Sequence, residues 1–248
     1  MQKSYGQFAE LYDTLTFDVP YIKYADFIEN QIKKHGINAE LVFDLACGTG
    51  TLAFELSQRG YDMIAADGSA EMLDCAISKY GTEKVLFLNQ PMQEFELYGT
   101  VDVIICILDS INYLTEDGDL EKVFALCHNY LNDDGLLIFD VNSEYKFKNI
   151  YAQNIYTYEK EDIFYVWEND FKEEEKLCDF YLTFFKEKNG LYERIDEQHT
   201  ERCYTEEEIS NALKNSGFEI ADMFDDYSEK LPQDDSERIS YCAIKRRK

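Results

Sequence analysis

The chain has 248 residues, with 24 Lys and Arg against 50 Asp and Glu, a formal net charge of −26. With 45% apolar residues, including 19 Tyr and 17 Phe, it has the core of a folded protein of one or two domains, not the composition of a disordered acidic tail. Phosphate backbones are bound through Lys and Arg, so so acidic a surface argues against nucleic acid and anionic membranes as partners.

At the N-terminus, the segment 1–8 lacks the apolar core of a signal peptide, and no run approaches the ~20 apolar residues of a membrane helix, so the chain reads as cytoplasmic. Ile22, Ala25, Ile28 and Ile32 recur at helical spacing. Short apolar runs then alternate with helical patterns. The runs are 41–45, 62–67, 85–88, 101–108 and 136–140, and their near-continuous apolarity suits strands buried on both faces. Between them, Met72, Leu73, Ala76, Ile77 and Tyr80, and later Leu120, Val123, Phe124, Cys127 and Leu131, mark helices. This alternation predicts a doubly wound α/β fold with a mostly parallel sheet of Rossmann-like type, seven-stranded once the closing segments are added.

After Val141 the helical period disappears. Residues 155–203 are rich in Tyr, Phe and charge and read as a small antiparallel sheet, with Lys188-Asn189-Gly190 as the turn between two long strands. Thr205-Glu206-Glu207-Glu208 is a capping box opening a helix, Gly217 ends it, and 218–227 and 239–244 read as strands that rejoin the main sheet. The expected organisation is a core of 1–150 plus 204–248, with residues 151–203 inserted as a β lid. Seven cysteines without a C-x-x-C pair read as small buried hydrophobes, with neither a disulfide framework nor a metal site.

The stretch Asp44-Leu45-Ala46-Cys47-Gly48-Thr49-Gly50 falls where the first strand hands over to a helix. Small residues at Ala46, Gly48 and Gly50 let a ligand approach the backbone, and the helix that follows offers free amides. Asp67 ends the second strand, where a carboxylate commonly accepts both ribose hydroxyls; the alternative is a capping acid before Ser69. A dinucleotide loop reads G-x-G-x-x-G, whereas Ala53 stands at the third glycine position here.

Together, residues 42–50, 67–73 and 107–114 resemble the motifs of the class I S-adenosylmethionine-dependent methyltransferases. Phe8–Asp13, Asp18-Val19-Pro20-Tyr21 and His199–Tyr204 extend the resemblance to small bacterial members with a lid, over nearly the whole chain. It implies S-adenosylmethionine as cofactor, with Asp44 and the backbone of Ala46, Gly48 and Gly50 at its methionine half and Asp67 at its ribose. Gly68 and Met72 would lie near the adenine, and because Pro91 replaces the acid common there, Met92 and Gln93 would supply the adenine contacts. Tyr5, Tyr12, Tyr21 and Tyr24 precede the first strand. Tyr12, as a substrate contact, and Tyr21, as a cofactor contact, would fold over the site and face the sulfonium, or else pack plainly.

Asp109 follows the fourth strand and can accept a proton or orient an amine, or cap a turn with Ser110. Asn112 and Tyr113 would touch the substrate or serve the local turn. His199, beside Glu201 and Arg202, would face the active site or join a surface ion-pair network, while His35 and His128 read as structural. The resulting expectation is transfer of a methyl group to a small organic molecule, a nitrogen being preferred by analogy with sugar and glycine-type N-methyltransferases, in a monomer or homodimer. The competing readings are an NAD-type or nucleotide-sugar oxidoreductase and a non-catalytic S-adenosylmethionine-binding protein.

Overall fold

A computed structural model of the chain describes residues 12, 16, 18–160 and 162–246. The expectations for Tyr5 and for the Phe8–Asp13 motif, Tyr12 apart, lie outside the described residues. In chain order, α1 (Tyr21–Lys34) leads into β1 (Leu41–Leu45), α2 (Thr51–Gln58), β2 (Asp62–Asp67), α3 (Ala70–Tyr80) and β3 (Val85–Asn89). Then come β4 (Val101–Cys106), α4 (Asp119–Tyr130) and β5 (Leu131–Asn142). A four-stranded antiparallel sheet follows: β6 (Ile155–Lys160), β7 (Ile163–Lys172), β8 (Leu177–Lys188) and β9 (Leu191–Arg202). The chain closes with α5 (Glu206–Asn215), β10 (Phe218–Asp225) and β11 (Arg238–Lys245).

The main sheet has the order β10-β11-β5-β4-β1-β2-β3, in which β11 runs against β5 and β10 while the other pairings are parallel. This is the seven-stranded Rossmann-like sheet the alternation predicts. Its central strands are largely apolar because both faces are covered. Phe43, Ile104 and Phe139 pack on one side with Phe124 of α4 and Leu213 of α5. Val42, Ile105 and Ile138 pack on the other with Ile28 of α1 and Leu56 of α2.

Local chemistry ends the helices where the sequence says it should. Ser69 caps α3 by accepting from the Met72 amide, Thr205 and Glu208 form the reciprocal capping box of α5, and Gly217 follows α5 at φ +92°. In the inserted sheet Lys188 pairs with Leu191 across Asn189 and Gly190, both left-handed as a two-residue hairpin loop requires. Of the seven free cysteines five are buried, while Cys47 and Cys75 are partly exposed. Among the described residues no helix is long and apolar enough to cross a membrane.

One element was not foreseen. A π-helical segment, Lys146–Tyr151, joins β5 to the inserted sheet and buries Phe147 and Tyr151. Such segments are rare and cluster at functional sites. This one delivers Lys146 and Tyr151 to the cavity described next.

Candidate active site

A cavity of about 730 Å³ opens beyond the C-terminal ends of β1, β2 and β4, beneath the inserted sheet. Ligands bind at this edge in open α/β sheets. Ala46, Gly48, Asp67, Gly68, Met72, Met92 and Gln93, all singled out in the sequence for the cofactor, line one end of it.

Backbone shape dominates that end. Ala46, Gly48 and Gly50 are all left-handed, with φ of +63°, +54° and +73°. A Cβ added at Gly48 would meet nothing within 4 Å, so this turn leaves ligand-sized room against its backbone. At Gly50 a Cβ would lie 3.0 Å from the Phe87 ring and 3.1 Å from Ala76. Gly50 is therefore small for close packing on that side, and neither Gly50 nor Asp44 lines the cavity.

Asp67 braces the turn. One carboxylate oxygen accepts from the Gly48 amide and the other from the Ser69 amide, each at 2.8 Å. Burial pushes the carboxyl up and those two amides pull it back. Asp67 also lines the cavity, and a carboxylate has more acceptor positions than these two amides use. Asp44 lies behind the cavity wall, 2% exposed, where burial and the nearby Asp67 carboxylate push its carboxyl up to about 7. Pro91 fills the place of the expected acid and stands 3.5 Å from where a Gly68 Cβ would be; Gln93 donates to Asp119 at 2.9 Å.

The other end is built from side chains. Leu108 and Asp109 are consecutive left-handed residues, at φ +57° and +55°. Non-glycine residues there carry about 1 to 2 kcal/mol of strain each, and observed strain of this kind concentrates at functional sites. The turn delivers Asp109 to Arg238, whose guanidinium bridges Asp109 and the fully buried Asp140. The Asp109 amide donates to Asp140 at 2.9 Å, and the Tyr227 hydroxyl donates to the same carboxylate.

Next to this bridge lies Glu201, 4% exposed, which accepts from the Asn142 side-chain amide at 2.8 Å. Burial, reinforced by the Asp109 carboxylate, raises Glu201 well above the carboxylate range. Burial also acts to raise Asp109, but the charges of Arg238 and Lys146 and hydrogen bonds with Arg238 and Glu201 outweigh it and hold Asp109 low. The two neighbouring acids are thus pushed in opposite directions, Glu201 toward keeping its proton and Asp109 toward losing it. Lys146 donates to the Asn142 carbonyl oxygen at 3.0 Å and sits 5.1 Å from the centre of the Tyr151 ring; burial and then Arg238 lower its ammonium.

The inserted sheet forms the roof. Phe180 pairs with His199, Cys178 with Glu201 and Trp167 with Leu182, which fixes one face of the sheet toward the cavity. His199 is 6% exposed, meets the Tyr113 ring edge-on at 6.0 Å, and is driven down to about 4 by burial, so it is a neutral imidazole at pH 7. Tyr12, Tyr113, His199 and Asp109 all line the cavity.

Two other residues, Asn112 and Tyr21, lie off the cavity and take the packing alternative. Asn112 is fully buried off the cavity, its side chain donating to the Arg202 carbonyl and accepting from the Asn142 amide, both at 2.9 Å. The 3-10 turn at Ser110–Tyr113 rotates it inward to tie β5 to the end of β9, so it is a structural residue rather than a substrate contact. Tyr21 opens α1 with its ring edge-on to Tyr24 and packed on the core, which leaves Val19 to line the cavity. The sequence reading passed over Arg238, Lys146, Tyr151 and Trp167 and placed Glu201 only as a neighbour of His199. A signal existed for Glu201, because residues two apart on a strand share a face.

Fold and site together define a nucleoside-type ligand at a glycine turn, with a second, side-chain-built compartment beside it. A family model described as a methyltransferase domain matches residues 42–135. A putative methyltransferase of Geobacillus sp. (strain WCH70) is 33% identical over 98% of this chain and 100% of its own length. The putative methyltransferase YqeM of Bacillus subtilis (strain 168) is 32% identical over 97% of each chain. The crystal structure of an S-adenosylmethionine-dependent methyltransferase from Clostridium acetobutylicum ATCC 824 matches with a TM-score of 0.89 at 36% identity, covering 97% of this chain and 98% of that one. The chain belongs to the S-adenosylmethionine-dependent methyltransferases. The open cradle at Gly48 and the cavity-facing carboxylate of Asp67 fit that cofactor.

Proposed function

We propose that the chain methylates an amine nitrogen of a small molecule held at the side-chain-built end of the cavity. The observation that carries this reading is the placement of Glu201 and Asp109 side by side on the cavity wall, where burial pushes the Glu201 carboxyl up while Arg238 and Lys146 hold Asp109 low. A glycine/sarcosine N-methyltransferase of Halorhodospira halochloris supports it, being 32% identical over 133 residues, 52% of this chain and 48% of that protein. The net charge of −26 weighs against a nucleic-acid acceptor.

S-adenosylmethionine, when bound, supplies a methyl group already activated on a sulfonium. In this reading Asp67 holds the ribose hydroxyls, while the Ala46–Gly48 turn takes the methionine half above the buried Asp44 carboxyl. Gly68, Met72, Met92 and Gln93 border the adenine. An amine attacks only when uncharged. Asp109, held ionised by Arg238 and Lys146, is too weak a base to keep an ammonium's proton, which leaves to solvent; its role is to accept a hydrogen bond from the uncharged amine and orient it. Neutral His199 orients the amine by accepting a second hydrogen bond. Tyr12, Tyr113 and Trp167 exclude water, and positioning of this kind can contribute roughly 7 to 11 kcal/mol to a displacement.

Calorimetric titration with S-adenosylmethionine and with NAD, followed by release of S-adenosylhomocysteine across amines, alcohols and thiols, tests the proposal. It expects heat with the sulfonium cofactor and turnover with amines. Turnover confined to alcohols or thiols refutes the nitrogen assignment, and binding without any turnover identifies a non-catalytic binder.

A further inference from the structure

The acceptor end holds two cations, and the fold treats them differently. Arg238 is bridged by Asp109 and Asp140, so both faces of its charge are met inside the protein. Lys146 donates to the Asn142 side-chain oxygen, and among the described residues no carboxylate lies within ion-pair distance of it. An ammonium has three protons to donate, so two remain for the cavity that Lys146 lines. The Tyr151 ring beneath it attracts the charge but accepts no conventional hydrogen bond.

Asn142 keeps this cation apart from the acid pair. Its side-chain carbonyl takes Lys146 and its NH2 goes to Glu201, while its backbone amide is held by Asn112. The cavity wall therefore presents a cation on one side of Asn142 and an acid on the other. Asp109, Glu201 and Glu237 act on this ammonium only from beyond ion-pair distance, so its buried charge is incompletely compensated. A ligand that brings an anion to Lys146 and an amine to the acid pair meets both sides without changing the net charge of the site.

We infer that Lys146 seats a carboxylate of the methyl acceptor, so that the acceptor class is an amino acid, with its amine at Asp109 and Glu201. The inference rests on the amine reading above. In it Lys146 is a binding and specificity residue and takes no proton.

The test uses the full chain saturated with S-adenosylhomocysteine, titrated with the protein α-amino acids and with the amine that each gives on decarboxylation. At least one amino acid is expected to bind, and its decarboxylated amine to bind roughly ten- to a hundredfold more weakly, the worth of a charge-assisted contact. Lys146→Met should erase that discrimination and raise KM more than it lowers kcat. Lys146→Arg should largely keep it, because a guanidinium also grips a carboxylate but cannot exchange a proton. If Lys146→Met does not fold, the wild-type comparison and Lys146→Arg carry the test. Equal binding of acid and amine, no binding by any amino acid, or discrimination that survives Lys146→Met overturns the inference. So does a Lys146→Arg variant that loses kcat at unchanged KM, which would make Lys146 the proton acceptor. Failure of the wild type to bind S-adenosylhomocysteine would instead count against the proposed function.

Discussion

The two ends of the cavity are made of different material. The glycine-turn end is built from backbone at three neighbouring strand tips, braced by one carboxylate, Asp67, that accepts from the Gly48 and Ser69 amides. The other end is assembled from Asp109, Asp140, Lys146, Glu201 and Arg238, ionisable side chains on five separate segments. A shared cofactor allows the first end to be generic, whereas the second must be specific to this chain. The difference can be probed by perturbing each end and asking whether the other responds.

The largest effect is expected at the side-chain-built end. Arg238→Met would leave Asp109 and Asp140 buried as unpaired carboxylates and should destabilise the fold by about 3 to 5 kcal/mol. Denaturant unfolding measures this, and a loss below about 1 kcal/mol would show that the bridge is not the organising element of that end.

His199 should make the same end acid-sensitive. Burial holds its imidazole at about 4, against about 6.5 for an exposed histidine, so the unfolded chain binds the proton first as pH falls. Stability is therefore complete above about pH 6.5 and declines toward pH 4, by about 3 kcal/mol in total. His199→Gln should flatten that decline; an unchanged pH slope would mean that His199 is not buried neutral.

Asp44 offers the corresponding test at the backbone-built end. With its carboxyl at about 7, it gains negative charge as pH rises through neutrality. Affinity for cationic S-adenosylmethionine should then strengthen from pH 6 to pH 8 by about tenfold at most. Asp44→Asn should remove the trend, and a trend that persists would point to another group.

The smallest effect concerns Ala46, left-handed at φ +63° where glycine is the usual residue. Ala46→Gly relieves that strain but loosens the unfolded chain, leaving a net gain of about 0.5 kcal/mol. A thermal melt that shows destabilisation would mean the methyl group packs favourably.

The same contrast explains what could be read from the sequence. The central strands and the helices around them were legible because burial on both faces imposes continuous apolar runs, and the turn at 44–50 was legible because its small residues are contiguous. Arg238 was not, since only the sheet order that lays β11 beside β5 brings it to Asp109 and Asp140. Lys146 was hidden because six residues of π-helix leave no period to detect. Asn112 misled for the opposite reason. Its position after a strand tip suggested the site, but a 3-10 turn aims its side chain at two backbone groups inside the fold.

The division between the ends is tested most directly by titrating S-adenosylhomocysteine into wild type, Asp67→Ala and Glu201→Gln by calorimetry, with turnover followed in parallel. Asp67→Ala should weaken binding by about 3 kcal/mol, the loss of charge-assisted hydrogen bonds to the ribose. Glu201→Gln should bind as wild type does while its turnover falls. Equal loss of affinity in both variants, or unaltered affinity in Asp67→Ala, would contradict a cavity divided into a cofactor end and an acceptor end.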